Sequence, residues 1–314
     1  MNPALWPQVK SAFSEAMERP ASQRSSFLLT RCPDPELLCE VHRLIQLEPK
    51  AARFLSEPLE LEPVGATEIL EPGASVRQRY RIDRLIGSGG MCGGVYQAFD
   101  TELEIGVALK VVPDSREFLA ARSVTHPNVC RVFDCGRDGA VRFLTMELLI
   151  GQTLEERLAT RGPLEGAELA AFVRQICAGL SAAHEAGVLH RDLKPANVFL
   201  TAGGRVVLTD FGLAHTAGAA STSRQLIGTL PYMAPELFAG RSATVASDIY
   251  SLGVLLHEAS TGKLPVDSAE VPRRWRRALR NCLQLDPGLR PKSVAELSRA
   301  SHERFRRAFA FLWA

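Results

Sequence analysis

Residues 189–200 read Leu189-His190-Arg191-Asp192-Leu193-Lys194-Pro195-Ala196-Asn197-Val198-Phe199-Leu200, and Asp210-Phe211-Gly212 follows, with Asp210 eighteen positions after Asp192. A carboxylate, an ammonium group and a carboxamide thus fall within one short stretch, and a second carboxylate comes soon after. Carboxylate and carboxamide oxygens are hard donors of the kind that suit Mg²⁺. Either tripeptide alone, His190-Arg191-Asp192 or Asp210-Phe211-Gly212, is weak evidence. The two in this order and at this spacing make a chance match improbable.

Composition agrees with a folded enzyme-sized chain. Its 314 residues are 46% apolar with net charge +2, enough to bury a full core in one large domain plus a small one. The charge balance points away from nucleic acid. No apolar run approaches the roughly 18 to 20 residues of a bilayer span, and Met1 to Phe13 lacks a signal-peptide core, so a cytoplasmic location is expected. The seven cysteines (Cys32, Cys39, Cys92, Cys130, Cys135, Cys177, Cys282) are odd in number, scattered and without a CxxC pair. Reduced, mostly buried thiols are expected rather than disulfides or zinc ligands.

The quoted stretch resembles the catalytic core of protein kinases, specifically the serine/threonine kinases of bacteria that are similar to eukaryotic ones. The resemblance implies an α+β, two-lobed fold with a small β-rich lobe, a large helical lobe and an ATP site in the cleft between them. Phosphoryl transfer needs an oriented acceptor hydroxyl, metal on the phosphates and compensation of developing charge. By resemblance, Asp192 accepts the hydroxyl proton and Lys194 neutralises the moving γ-phosphoryl group. Asn197 and Asp210 hold Mg²⁺, with Mn²⁺ as an alternative. Val107-Ala108-Leu109-Lys110 looks like the third strand of the small lobe, with Lys110 on the α- and β-phosphates and Ala108 against the nucleotide. Phe143 to Leu149 resembles the fifth strand and hinge, placing Met146 behind the adenine and Glu147 and Leu149 on the base through backbone groups. Gly228-Thr229 and Ala234-Pro235-Glu236 bracket what looks like the substrate-docking loop. The family pairs this Glu with a later Arg, for which Arg290 fits, and Asp248 matches the buried Asp that supports the catalytic-loop backbone. The HRDLKxxN pattern and Thr229 favour a Ser or Thr acceptor, and protein substrates.

The chain divides into a helical region over 1–56, an acidic Pro-rich linker over 57–78, the kinase-like domain over 79–299 and a basic amphipathic C-terminal helix over 300–314. In the first region Trp6, Val9, Phe13 and Met17 share one helical face, and Leu37, Leu38, Val41, Leu44 and Ile45 another, with breaks at Pro20 and Cys32-Pro33-Asp34-Pro35. Two readings stand: a small bundle packed on the kinase, or a docking and self-association module. In the kinase-like domain strands come first, through Met146, and helices follow, notably over 164–186, 246–260 and 272–285.

Three departures bear on activity. In Ile86-Gly87-Ser88-Gly89-Gly90-Met91-Cys92-Gly93-Gly94-Val95-Tyr96 the family's GxGxxGxV carries one extra residue. Glycines let backbone N–H groups approach phosphates, so an insertion at the tip predicts weaker ATP binding by the Ile86 to Val95 cradle, but not its loss. Second, Lys110 and His126 are only 16 residues apart, which shortens the helix that carries the family's partner for the Lys. Glu117, nine positions before His126, is the candidate. It either pairs with Lys110 or closes a capping box with Asp114. Third, Thr261-Gly262-Lys263-Leu264-Pro265 runs almost directly into Pro272-Arg273-Arg274-Trp275, where the family usually places another helix that helps to dock protein substrates. An unusually exposed lobe edge is expected there.

Arg191 precedes Asp192, and kinases of this kind pair that Arg with an activation-loop phosphate. Ser221, Thr222 and Ser223 are candidate autophosphorylation sites, with a merely flexible loop as the competing reading. In the C-terminal segment, Phe305, Phe309, Leu312 and Trp313 at helical spacing beside arginines fit either a packed, solvated helix or one that contacts a membrane or partner. The leading reading is a Mg²⁺-dependent serine/threonine kinase. The alternative is a weak or inactive pseudokinase acting as a scaffold.

Overall fold

The structure, a computed structural model, describes residues 6–17, 19–32, 34, 37–38, 41, 70–88, 94–112, 122–211, 230–238, 241–265 and 271–297. Six strands form one antiparallel sheet: β1 Ser75–Val76, β2 Tyr80–Ser88, β3 Gly94–Asp100, β4 Ile105–Val111, β5 Val132–Asp138 and β6 Val141–Glu147, in the order β1-β2-β3-β4-β6-β5. Period-two alternation decides which face each residue takes. Tyr96 and Ala98 of β3, Tyr80 and Ile82 of β2, and Val107, Leu109 and Val111 of β4 share one core with Phe143. Ala108 and Lys110, one residue out of phase, project from the opposite face of β4. Antiparallel pairing sets Ala108 beside Met146 and Val107 beside Glu147, which puts the hinge next to the strand that carries Lys110. Register shifts interrupt β2 at Ile82/Arg84 and Leu85/Gly87, and such bulges bend a strand and sharpen its twist. Gly94 has no room for a side chain, because a Cβ there would collide with Leu85 and Tyr96.

The second layer is helical. A three-stranded sheet of β7 Gly151–Thr153, β8 Val198–Thr201 and β9 Val206–Leu208 leads into it. Helix α3 Leu154–Arg161 starts at Thr153, whose hydroxyl accepts from the Glu156 N–H while the Glu156 carboxylate accepts from the Thr153 N–H. Helix α4 Gly166–Glu185 buries Leu169, Phe172, Val173, Ile176, Leu180 and Ala183, the three-and-four spacing of a single apolar face. Helix α5 Pro235–Phe238 is one turn. Helix α6 Val245–Thr261 is buried on every side from Ser247 to His257 and ends at Gly262, whose left-handed φ of 71° closes the C-terminus. Helix α7 Arg273–Cys282 turns Trp275, Leu279 and Cys282 into the same core and leaves Arg273, Arg276, Arg277 and Arg280 in solvent. The helices expected over 164–186, 246–260 and 272–285 are therefore present within about three residues at each end. No described helix is long and apolar enough to cross a membrane. Cys32, Cys130, Cys177 and Cys282 are free and buried, Cys135 is free and half-buried, and Cys39 and Cys92 lie outside the described residues.

In the N-terminal region, α1 Trp6–Met17 and α2 Ala21–Arg31 pack together, with Pro20 as the residue before α2. Residues Val9, Ala12, Phe13, Ala16, Leu28, Cys32, Leu37 and Val41 form their core, and Met233 and Leu285 of the large lobe pack against it. This modifies one expectation. The described lobe surface beside the short Gly262 to Pro272 connection is not simply bare: Leu264, Tyr232 and Leu283 all pack against Ala234, Tyr250 and Val254, and Met233, next to Tyr232, and Leu285, two residues after Leu283, meet the helix pair. The C-terminal segment 300–314, and with it the choice between a packed, solvated helix and one that contacts a membrane or partner, lies outside the described residues, as do Leu44 and Ile45.

Glu236 and Arg290 form the expected bidentate pair, at 2.7 and 2.8 Å. Arg290 is fully occupied: its remaining donors go to the carbonyls of Gln284, Ala246 and Leu285. Burial pushes the Glu236 carboxyl up, but Arg290 and the Ser247 hydroxyl outweigh it and hold the group below its ordinary value of 4.5. Arg290→Ala strands a buried carboxylate and is expected to cost about 3–5 kcal/mol, read by chemical denaturation. Because the folded pKa is depressed, the pair's contribution is present above about pH 4.5 and is lost as pH falls through the folded value. The Arg290→Ala variant should lack that acid-side loss.

Candidate active site

The stretch that decided the fold forms a tight loop around one carboxylate. Asp248, 2% exposed on α6, accepts the backbone N–H groups of His190 at 2.8 Å and Arg191 at 2.9 Å, and the His184 Nε2 proton at 2.8 Å. With its backbone held there, Arg191 adopts a φ of +66°, and Asp210 has a φ of +59°. Non-glycine residues in this region cost about 1–3 kcal/mol each and persist only where surroundings over-determine them. Here the Asp248 carboxylate does so for Arg191. Neither strained residue was legible from spacing.

Asp192 sits at the centre. Its Oδ2 takes a hydrogen bond from Asn197 Nδ2 at 3.0 Å and an ion pair from Lys194 Nζ at 2.8 Å, and the same Asn197 amide donates to the Asp192 carbonyl at 2.8 Å. Its Oδ1 is buried and has no hydrogen-bond partner among the described residues. A buried carboxylate oxygen left without a donor is costly, which leaves this atom open to a donor from another molecule. Thr209, which sequence reasoning passed over, donates both its N–H (3.0 Å) and its hydroxyl (3.1 Å) to the Asn197 carbonyl. That pair of bonds ties the loop to the strand end carrying Asp210. Asn128, also passed over, reaches Gln175 on α4 and the Val206 carbonyl on β9, and Leu208 bridges back to Val129.

Lys110, 4% exposed, meets Asp210 Oδ1 at 2.6 Å across the cleft. That pairing was not expected, and the expected partner, Glu117, lies outside the described residues, as do Gly89, Gly90, Gly212, Ser221, Thr222, Ser223 and Thr229. Of the cradle, Ile86, Gly87 and Ser88 finish β2 and Val95 lies opposite on β3. At the hinge, the Glu147 N–H is spent on the Arg131 carbonyl at 2.9 Å, and the Leu149 N–H makes no hydrogen bond among the described residues. The Glu147 side chain has a role the sequence did not suggest: its carboxylate binds the Arg205 guanidinium and fastens the hinge to the β8–β9 turn. Nearby, burial pushes the Cys130 thiol up to about 12, so it stays protonated at neutral pH.

These donors suit a metal-bound nucleotide. The Asn197 Oδ1 and Asp210 Oδ2 atoms accept no hydrogen bond from described residues, and no described cluster of three His, Cys, Asp or Glu side chains exists to hold a metal by protein ligands alone. Two oxygen donors completed by substrate phosphates is the coordination habit of Mg²⁺.

Comparison with known proteins agrees. The model of the protein kinase domain matches residues 80–303. The chain belongs to the protein kinase family. It has the family's two-lobed α+β fold, and members of the family use ATP and a divalent metal and act on protein substrates. It is 41% identical over 216 residues to the serine/threonine-protein kinase PknL of Mycobacterium tuberculosis, covering 64% of this chain and 53% of that protein. It is 36% identical over 210 residues to the serine/threonine-protein kinase PrkC of Bacillus subtilis, covering 62% and 32%. It is 38% identical over 215 residues to the probable serine/threonine-protein kinase pknA2 of Bifidobacterium longum, covering 63% and 28%. The matched part thus spans between about a quarter and a half of the length of these relatives.

His190 lies against Phe211 with ring centroids 4.5 Å apart, and both its ring nitrogens are buried without partners among the described residues. Burial pushes the imidazole below its ordinary 6.5, against the pull of Asp248, Asp192 and Asp210, which favours the neutral ring in the folded kinase. As pH falls below about 6.5 the unfolded chain takes up a proton that the native state refuses, and stability drops until the folded pKa is reached. Denaturation midpoints measured from pH 7 to 5 should fall for the wild type and fall less for His190→Gln.

Proposed function

We propose that this chain transfers the γ-phosphoryl group of ATP to serine or threonine hydroxyls of proteins, with Mg²⁺ on Asn197 and Asp210 and Mn²⁺ as a substitute. The observation that carries this reading is the pair of roles within one carboxylate: Asp192 Oδ2 is saturated by Lys194 and Asn197, while buried Oδ1 is left to accept a proton. When bound, Mg²⁺ spreads the charge of the phosphates and aligns them. The acceptor hydroxyl gives its proton to Asp192 Oδ1 as its oxygen forms the new P–O bond and the bond to ADP breaks. Lys194, held beside Asp192, offsets charge on the moving group. Lys110, already desolvated on β4, is placed to serve the α- and β-phosphates. The names of the bacterial relatives support a Ser or Thr acceptor.

Arg191 supports a regulatory reading as well. Its Nε is buried without a partner among the described residues, and its chain neighbour His190 lies against Phe211, the last described residue before the stretch of sequence that carries Ser221, Thr222 and Ser223. A phosphate on one of these would satisfy it.

Incubation with γ-labelled ATP and Mg²⁺ is expected to label serine or threonine in the wild type, partly between residues 213 and 233. Asp192→Asn should lower transfer by about 10²–10⁴-fold while ATP-dependent thermal stabilisation persists. Equal labelling of the two proteins, or none in the wild type with a generic acceptor such as myelin basic protein, would overturn the reading in favour of a scaffold.

A further inference from the structure

The N-terminal helix pair is built as a unit and joined to one place on the large lobe. Within the pair, Arg31 on α2 grips Glu15 on α1 at 3.0 and 3.1 Å, Ser11 donates to the same carboxylate at 2.7 Å, and Ala12 and Ala16 are wholly buried. The lobe residues packed on its core are Met233 and Leu285, and α1 also contacts the single turn Leu230–Tyr232. Both anchor points flank the Glu236–Arg290 pair. Met233 is three residues before Glu236, and the Leu285 carbonyl accepts from Arg290 Nη2 at 3.1 Å. The helices therefore join, through apolar contact, the same two segments that the buried ion pair joins through charge.

Segment 230–233 is also fixed from its other side to the helix that holds the catalytic loop. Ser251 Oγ donates to the Tyr232 carbonyl at 2.8 Å, and the Tyr232 hydroxyl donates to Glu258. Ser251 is three residues from Asp248 on α6, whose carboxylate holds the His190 and Arg191 N–H groups. One helix thus relates the end of the 212–233 segment to Asp192, and α1–α2 brace that end from outside. Asp248 and Ser251 lie one turn apart on α6, so Tyr232 is held about one helical turn from the residue that fixes the Arg191–Asp192 backbone, and a polypeptide whose hydroxyl reaches Asp192 Oδ1 comes close to Leu230–Met233.

We infer that the α1–α2 pair is a positioning element for the protein acceptor: by holding Leu230–Met233 against Leu285 it sets the surface on which a polypeptide substrate is aligned, and it leaves nucleotide binding alone. The inference rests on the transferase reading above. Neither Met233 nor Leu285 belongs to the 189–200 loop, to β4 or to the hinge, so the contact reaches the acceptor side without touching the nucleotide side.

The test uses the full chain with two kinds of variant. Ala12→Glu puts a charge into the helix-pair core, and Leu285→Ala removes one of the lobe's two contact side chains while leaving the pair intact. Each should raise amide hydrogen exchange over residues 230–238 and not over 105–112 or 192–201. Each should also raise KM for a protein acceptor by about tenfold or more, the scale of effect that remote misplacement produces, with KM for ATP within about twofold of the wild type. Unchanged exchange over 230–238 in Leu285→Ala overturns the contact itself, whether or not the wild type transfers phosphate. Raised exchange there with unchanged acceptor KM, or faster acceptor phosphorylation in both variants, overturns the positioning role. A parallel loss of ATP affinity and acceptor kinetics shows a general stabilising role instead and also overturns it.

Discussion

Two backbone N–H groups pointing into the Asp248 carboxylate hold the catalytic loop in a conformation the chain would not otherwise choose. Arg191 pays for a left-handed backbone, and only a buried acceptor with both oxygens engaged keeps it there. Because Asp248 lies on α6, which is buried nearly all round, the loop inherits the rigidity of the core. Asp192 follows directly, oriented by Asn197 and Lys194, and Thr209 carries the same geometry to Asp210. Phosphoryl transfer depends on placement more than on covalent chemistry, so this chain of fixed groups is the substance of the site.

The cleft side is less committed. Lys110 rests on Asp210, an ammonium and a carboxylate satisfying each other at 2.6 Å in a mostly buried setting. Breaking such a pair is costly unless each member gains a new partner. A metal-bound nucleotide offers both at once, phosphate oxygens for Lys110 and a cation for Asp210. The pair therefore keeps the two groups ready for a ligand of the right charge pattern. The hinge is prepared in a similar way, with the Glu147 N–H occupied, the Leu149 N–H open and the Glu147 carboxylate anchored to Arg205.

Much of this was legible in the sequence because the chemistry is local and ordered. The Asp192-Lys194-Asn197 cluster lies within six residues, and Glu236, Asp248 and Arg290 sit in short patterns whose pairing the structure reproduces. The large-lobe helices were legible because their apolar spacing is long and regular. What escaped depends on distant segments meeting. Nothing local to Thr209, Asn128 or Arg205 marks their partners, and positive φ at Arg191 and Asp210 arises from tertiary bonds rather than from residue type. The helix pair's seat on Met233 and Leu285 was equally hidden, since an amphipathic face shows that something will cover it but not what.

The central claim is that Lys110, Asp192, Asn197 and Asp210 form one working nucleotide and acceptor site. A crystal structure of the full chain with Mg²⁺ and a non-hydrolysable ATP analogue tests it most directly. The account predicts metal on Asn197 Oδ1 and Asp210, Lys110 Nζ moved from Asp210 to phosphate oxygens, and the Leu149 N–H on the base. An intact Lys110–Asp210 ion pair, with no metal or nucleotide in the cleft at saturating concentration, would contradict it.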